Sequence, residues 1–357
     1  MNMTKWIPAV LVVLVTVFLW VFGYQFEQVE TVGQRFEEGE VTSIEEVEGG
    51  QLLTINEIEV MHYVDDFVQS EPYDLGDELV ITLYEDPLTG NETAVVNDEV
   101  RRPALIAAFG VFLVVVIFVA GWQGAMALLA MVYSFVVLLR LVLPLFLMGQ
   151  SPFWVLLAGG VLIVPVMFGL SHGWNKKSLV AMVSTLITLL VTSFLVISFT
   201  EMAGLSGLSS EESSFLQFDM GELDFKAILL AGILLGLLGI LDDVCVSQAS
   251  VVQELKALKK RQNFTELYTR SMRVGRDHIA SLVNTMVLVY AGAALPLLLL
   301  FVNYDQPFAQ ILNLEFMAEE VLRILLASIG LILAVPITTV IAVLTLEGDR
   351  GASHSHQ

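Results

Sequence analysis

Cysteine is almost absent from this chain of 357 residues. The single one, Cys245, excludes an internal disulfide and a multi-cysteine metal cluster; within its hydrophobic stretch it reads as a small buried apolar residue. Charge is scarce as well, at 15 % of residues, and positive charge is scarcest, with 17 Lys+Arg against 38 Asp+Glu. Nucleic-acid binding requires a basic footprint and is disfavoured on that ground. Walker loops, HExxH, Ser-His-Asp arrangements and Gly-rich nucleotide fingerprints are missing too, so the chain reads as a non-enzyme with no cofactor, metal or catalytic residue. What is abundant is apolar residues, 56 % of the chain, with a mean hydropathy of +0.75. A soluble domain carries roughly 45–50 %, so a disordered, fibrous or ordinary cytosolic protein is excluded.

The net charge of −21 is unevenly placed. Residues 25–102 hold 21 acidic and three basic side chains, a net of −18, which leaves −3 for everything else. The chain therefore reads as a small acidic soluble domain joined to a nearly neutral membrane body.

Apolar runs near the ~20 residues of a membrane span occur at 7–23, 104–120, 125–147, 153–170, 178–199, 227–246, 279–302 and 321–345. The predicted fold class is an α-helical polytopic membrane protein of about eight transmembrane helices with a small extracytoplasmic β domain. Residues 1–24 form an uncleaved signal anchor, 25–102 the acidic β domain, 103–346 a seven-helix membrane domain with a basic loop at 247–276, and 347–357 a short tail. The basic residues Lys5, Lys176, Lys177, Lys256, Lys259, Lys260, Arg261, Arg270, Arg273 and Arg276 fall on one side, which the positive-inside rule makes cytoplasmic. Both termini are then cytoplasmic, with 25–102 outside at the cell membrane. Arg101 and Arg102 break that rule at the outer edge of the second span, where lipid phosphates or the acidic domain would satisfy them.

Within 25–102, Gln51–Tyr63 and Glu78–Tyr84 read as strands and Tyr73–Asp77 as a turn. Four or five short strands in this length predict a small barrel of OB or SH3 type. Pro144, Pro165, Pro296 and Pro336 interrupt membrane segments, as in many transporters, although kinked packing accounts for any one of them.

Two polar stripes stand out at the cytoplasmic end. Gly232, Gly236, Gly239, Asp243, Ser247, Ser250 and Glu254 recur every three or four residues and share a helix face, where the glycines allow another helix to approach closely. Asp242 points about 100° away. Asp277, Ser281 and Asn284 share a face of the next span, with Thr285 beside it and Arg276 and His278 flanking the acid. A carboxylate at membrane depth costs at least ~2.5–3.5 kcal/mol, so it faces a cavity or a partner. One reading is a cation- or proton-coupling site; the other is a structural Asp243–Arg276 or Asp277–Arg273 ion pair. Arg140 either snorkels or meets an anionic group where Pro144 breaks its helix. Ser184, Thr185, Thr188 and Thr192 are hydroxyls of the kind that cross-link helices.

These motifs resemble the YibE/F-like family of multi-span bacterial membrane proteins. The matching pieces are Tyr73–Asp77, Arg101–Arg102, Leu143–Pro144, Gly149–Pro152, Gly239–Val244, Ser247–Ser250, Glu254–Leu255, Gly275–Ile279 and Asn284–Thr285. The resemblance carries over Asp243, departs from the family pattern at Asp242, and implies a permease without a defined substrate. The leading expectation is an ion-coupled permease or exporter in which Asp243 and Asp277 bind the coupling cation (H+ or Na+), Ser247, Ser250 and Asn284 assist, and Arg276 tunes them. Arg140, Asp242 and Thr285 are secondary candidates. The expected partners are the lipid bilayer, that cation, an undefined substrate, and a second copy of the chain or another membrane subunit. The competing expectations are an envelope scaffold acting through the outer domain and, less favoured, an intramembrane aspartyl hydrolase using Asp243 with Asp277.

Overall fold

A computed structural model describes residues 12–13, 15–17, 34–63, 72–85, 92–219, 223–258, 263–302 and 307–346. The chain forms two compact units, Phe26–Val119 and Met1–Gln25 with Ala120–Gln357.

The first unit holds a curled five-stranded antiparallel sheet of order β3-β2-β1-β4-β5. The strands are β1 (Gln34–Val47), β2 (Gly50–Ile55), β3 (Ile58–Tyr63), β4 (Glu78–Glu85) and β5 (Glu92–Glu99). β1 is long because its first half pairs with β4 and its second half with β2, with a register shift between Val41 and Ser43. The curl brings the edge strands β3 and β5 against each other. Alternation turns Val41, Leu53, Ile55, Val60, Leu79, Ile81 and Leu83 into one core while the glutamates stay outside. Asn56 and Glu57 both have positive φ, the geometry of a two-residue hairpin turn. The Tyr73–Asp77 turn is pinned to the sheet: Gly76 N–H donates to the Val41 carbonyl, Val41 N–H to that of Asp77, and the Gln51 amide brackets the Tyr73 backbone from both sides. The acidic domain satisfies the two exceptional arginines, since Arg101 pairs with Asp98 at 2.6 Å and Arg102 with Glu38.

The remaining elements are helical. They are α1 (Arg102–Val137), a π-helical turn (Leu138–Val142), α2 (Leu143–Leu147), α3 (Pro152–Ser171), α4 (Lys176–Met202), α5 (Glu211–Asp219), α6 (Phe225–Leu258), α7 (Phe264–Ala293), α8 (Leu295–Val302), α9 (Phe308–Ile311) and α10 (Glu315–Thr345). Among the described residues, five helices are long and apolar enough to cross a membrane, against eight segments expected from sequence. Two differences have local causes. The segments 104–120 and 125–147 belong to one apolar stretch, Arg102–Leu147, of 46 residues. That is about 69 Å of helix, roughly twice a bilayer core, and Gly121 breaks its helical geometry with φ 57° and ψ −136°. The segment 279–302 is divided between α7 and α8 at Ala294, where Pro296 removes a backbone donor. The expected anchor at 7–23 lies outside the described residues apart from helical Val12–Val13 and Val15–Val17.

The second unit is centred on α4, α6 and α10, which pack mutually. α3 covers α4 and α6, and α7 lies against α10 and α6. The shared core includes Leu189, Val196, Leu234, Leu237, Leu241, Val244, Leu331 and Val335.

Candidate functional site

Hydrocarbon offers backbone and side-chain polar groups no water, so polar residues in such a core must find partners inside the protein. Most of the α4 hydroxyls do. Ser184, Thr188, Thr192 and Ser193 are buried and donate to the carbonyls four residues earlier, which suits helix packing.

A smaller cluster differs. Asp242 and Cys245 stand one turn apart on the inward side of α6; Asp242 is only 8 % exposed and Cys245 is fully buried. Thr185 of α4 and Thr338 of α10 flank the Cys245 thiol from the two facing helices. A thiol is a weak partner, and the Thr185 and Thr338 hydroxyl oxygens have no conventional hydrogen bond among the described residues. Asp242 Oδ1 is likewise buried without one. One turn further along α6, Gln248 donates to Thr339 Oγ1 at 2.7 Å and to the Ser271 carbonyl at 3.3 Å, tying α6 to α10 and α7. Gly275 of α7 makes this possible: a Cβ there would lie 2.5 Å from Val335 Cγ1 and 3.0 Å from Gln248 Oε1.

The residues singled out by spacing lie elsewhere. Asp243 and Ser247 are exposed on the opposite side of α6, and half-buried Ser250 donates to the Val246 carbonyl. Arg276, Asp277, Asn284 and Thr285 are exposed along α7, where Thr285 donates to the Ser281 carbonyl. Neither Asp243–Arg276 nor Asp277–Arg273 forms an ion pair among the described residues. The glycine face also departs from expectation: Gly232 and Gly239 meet open space, and only Gly236 has a neighbour, the Tyr290 hydroxyl. α6 turns its bulkier side inward (Leu234, Leu237, Leu241, Val244, Val252), which leaves the small stripe facing out. Asp243 does act electrostatically on His172, just past the C-terminus of α3. Burial, then Lys177, lowers the His172 pKa from 6.5, and Asp243 opposes them. Arg140 lies half-buried in the π-helical turn before α2.

Thr185, Cys245, Gln248 and Thr338 are thus absent from the sequence-based site. For Cys245 and Gln248 the signal is the continuation of Leu238 and Leu241 into Asp242, Cys245, Gln248 and Val252, an apolar side of α6 that turns polar without leaving the core.

The model of one protein family, described as YibE/F-like protein, matches residues 108–348. The chain belongs to the YibE/F-like family. The match runs from within α1 past the end of α10 and contains the whole Asp242 cluster, whereas the sheet lies outside it. The Tyr73–Asp77 and Arg101–Arg102 pieces of the resemblance therefore belong to the part of this YibE/F-like protein that the family match does not cover. No curated protein and no solved structure matches the chain.

Proposed function

We propose that this YibE/F-like protein is an ion-coupled membrane permease or exporter with Asp242 as its coupling carboxyl. The observation that carries the reading is the Asp242 side chain, buried one turn from Cys245, where α6 meets Thr185 of α4 and Thr338 of α10, with one oxygen unpartnered. An ionised carboxylate so placed is costly, by at least ~2.5–3.5 kcal/mol on the insertion scale. Binding a proton or a monovalent cation removes that cost, so occupancy biases the packing of the three helices, which is the minimum that coupling requires. Asp243 of α6 and Asp277 of α7, both exposed, are secondary acids in this reading, with Ser247 and Ser250 on α6 and Asn284 and Arg276 on α7 as further polar groups. The orientation that accompanies this reading places both termini in the cytoplasm and the sheet outside, following the basic α3–α4 and α6–α7 connections.

The test needs no substrate. Proteoliposomes on a solid-supported membrane are stepped in pH or Na+, and the transient current of cation binding is recorded. Wild type gives a saturable current with one of the two ions, Asp242→Asn abolishes it, and Asp243→Asn slows it. A current unchanged in Asp242→Asn rejects the assignment.

A second reading, a scaffold acting through the sheet, draws on one feature. Phe36 and Val95 pair across Thr82 on the sheet's outer face, with Tyr84 diagonal to them, and all three are exposed in an otherwise acidic surface. Cross-linking from residue 36 or 95 in intact cells recovers one dominant envelope protein if this reading is right and none if it is wrong.

A further inference from the structure

At the end of the bundle where α4 finishes and α6 and α10 begin, the connection from α4 folds back over the helices. Glu315 of α10 accepts from Ser206 N–H, and Glu319 Oε2 accepts from Ser209 Oγ at 2.6 Å. Gly207, at φ 79°, passes so close to the start of α6 that a Cβ would meet the Phe225 carbonyl at 2.3 Å. The tethered loop, α5, α6, α8 and α10 together line an open cavity of about 680 Å³. That is the size of a site for a small organic molecule, ~300–1,000 Å³.

Its polar groups are unequal. Glu320 is neutralised by Arg323 at 2.6 Å. Ser210 and Ser213 are occupied with each other, through Ser210 N–H to Ser213 Oγ, Ser213 N–H to Ser210 Oγ and Ser213 Oγ to the Ser210 carbonyl. Glu319 is left over: its side chain lines the cavity, the residue is only 7 % exposed, and Oε1 is buried with no hydrogen-bond partner among the described residues. Glu212, at the exposed rim, adds a second negative charge. The rest of the lining is largely apolar, with Leu216, Leu229, Leu297 and Phe316.

We infer that this cavity binds an organic ammonium ion with an apolar body, its N–H groups donating to Glu319 and its body lying on the leucine and phenylalanine wall. An anion meets two unpaired carboxylates and is repelled. A metal ion lacks ligands, since the serine oxygens are engaged and no group of three or more His, Cys, Asp or Glu side chains gathers for a metal among the described residues. An ammonium charge beside the Glu319 carboxylate offsets the cost of its burial, and an apolar body displaces water from the wall. The site lies apart from Asp242 and does not depend on the permease reading. The same ammonium chemistry is carried by a free amine and by a phosphatidylethanolamine headgroup.

The experiment is calorimetric titration of the purified full-length protein in dodecylmaltoside with phenethylammonium, 2-phenylethanol and 3-phenylpropionate, against empty micelles. Phenethylammonium binds saturably at one per chain, and the neutral and anionic analogues bind about tenfold more weakly or worse. Glu319→Gln weakens phenethylammonium by a similar factor, while Asp242→Asn leaves it unchanged. Should Glu319→Gln fail to fold, Gly232→Leu, which fills the cavity from an open position on α6, abolishes binding with Glu319 intact. Adding phosphatidylethanolamine to the micelles separates the sources: competition assigns the lipid headgroup, and unchanged affinity assigns a free amine. Equal affinity for the alcohol, no saturable binding to folded wild type, or undiminished binding in both the folded Glu319→Gln and Gly232→Leu variants overturns the inference.

Discussion

Gln248 and Thr339 are joined by a 2.7 Å hydrogen bond that is buried on both sides, between helices whose positions in the chain are 91 residues apart. The same amide nitrogen reaches the Ser271 carbonyl, so one side chain ties three helices.

A double-mutant cycle with Gln248→Leu and Thr339→Val measures that tie. Side-chain hydrogen bonds between membrane helices couple by about 0.6 kcal/mol on average and about 1.7 kcal/mol at most. The expected coupling lies in that window, read from reversible unfolding in mixed micelles. Strict additivity of the two single variants contradicts the contact.

Two glycines make opposite predictions for the same substitution. At Gly275 a methyl group collides with Val335 and Gln248, so Gly275→Ala destabilises by about 1–3 kcal/mol. Combining it with Val335→Ala recovers part of the loss. At Gly239 nothing lies within 4 Å, and Gly239→Ala stabilises by about 0.5–1 kcal/mol through the lower helical cost of alanine. Thermal denaturation of the purified variants, side by side, checks both signs.

His172 makes the stability of the helical unit pH-dependent on the acid side. Its pKa in the fold is depressed below 6.5, first by burial and then by Lys177. The unfolded chain therefore takes up the proton first as pH falls. The stability contribution is present above pH 6.5 and is lost as pH drops through the lower folded value. Asp243 partly offsets the depression, so Asp243→Asn moves the midpoint down and Lys177→Ala moves it up. Histidine ring resonances followed by NMR through the acid range report both shifts; an upward move in Asp243→Asn refutes the pairing.

The segregation of charge, the Tyr73–Asp77 turn and the burial of Cys245 were legible from composition and local spacing, whereas Arg101 and Arg102 stood open between lipid phosphates and the acidic domain until the structure paired them with Asp98 and Glu38. Which of Asp242 and Asp243 faces the core was not. α6 is apolar nearly all round at that depth, so periodicity offers little contrast between its sides. The decision rests on bulk: leucines pack inward and the glycine stripe turns out, contrary to the helix-approach reading of those glycines. Glu319 was hidden for another reason. It sits with Glu315, Glu320 and Arg323 at the start of α10, where the apolar run at 321–345 begins and a charged helix start reads as solvated. Only the return of the loop from α4, held through Ser206 and Ser209, encloses it.

The distance between partners has a consequence for assembly. Lys256, near the C-terminus of α6, donates to the carbonyls of Val343 and Leu346, closing the last turn of α10 with a positive charge where the helix dipole is negative. The ammonium group is synthesised 87 to 90 residues before the carbonyls it caps. At ~5–20 residues per second, translation delivers those carbonyls roughly ten seconds later. The lysine therefore waits at its membrane edge, and the docking of α10 onto it is a late event in building the bundle, one that a stalled or truncated nascent chain never reaches.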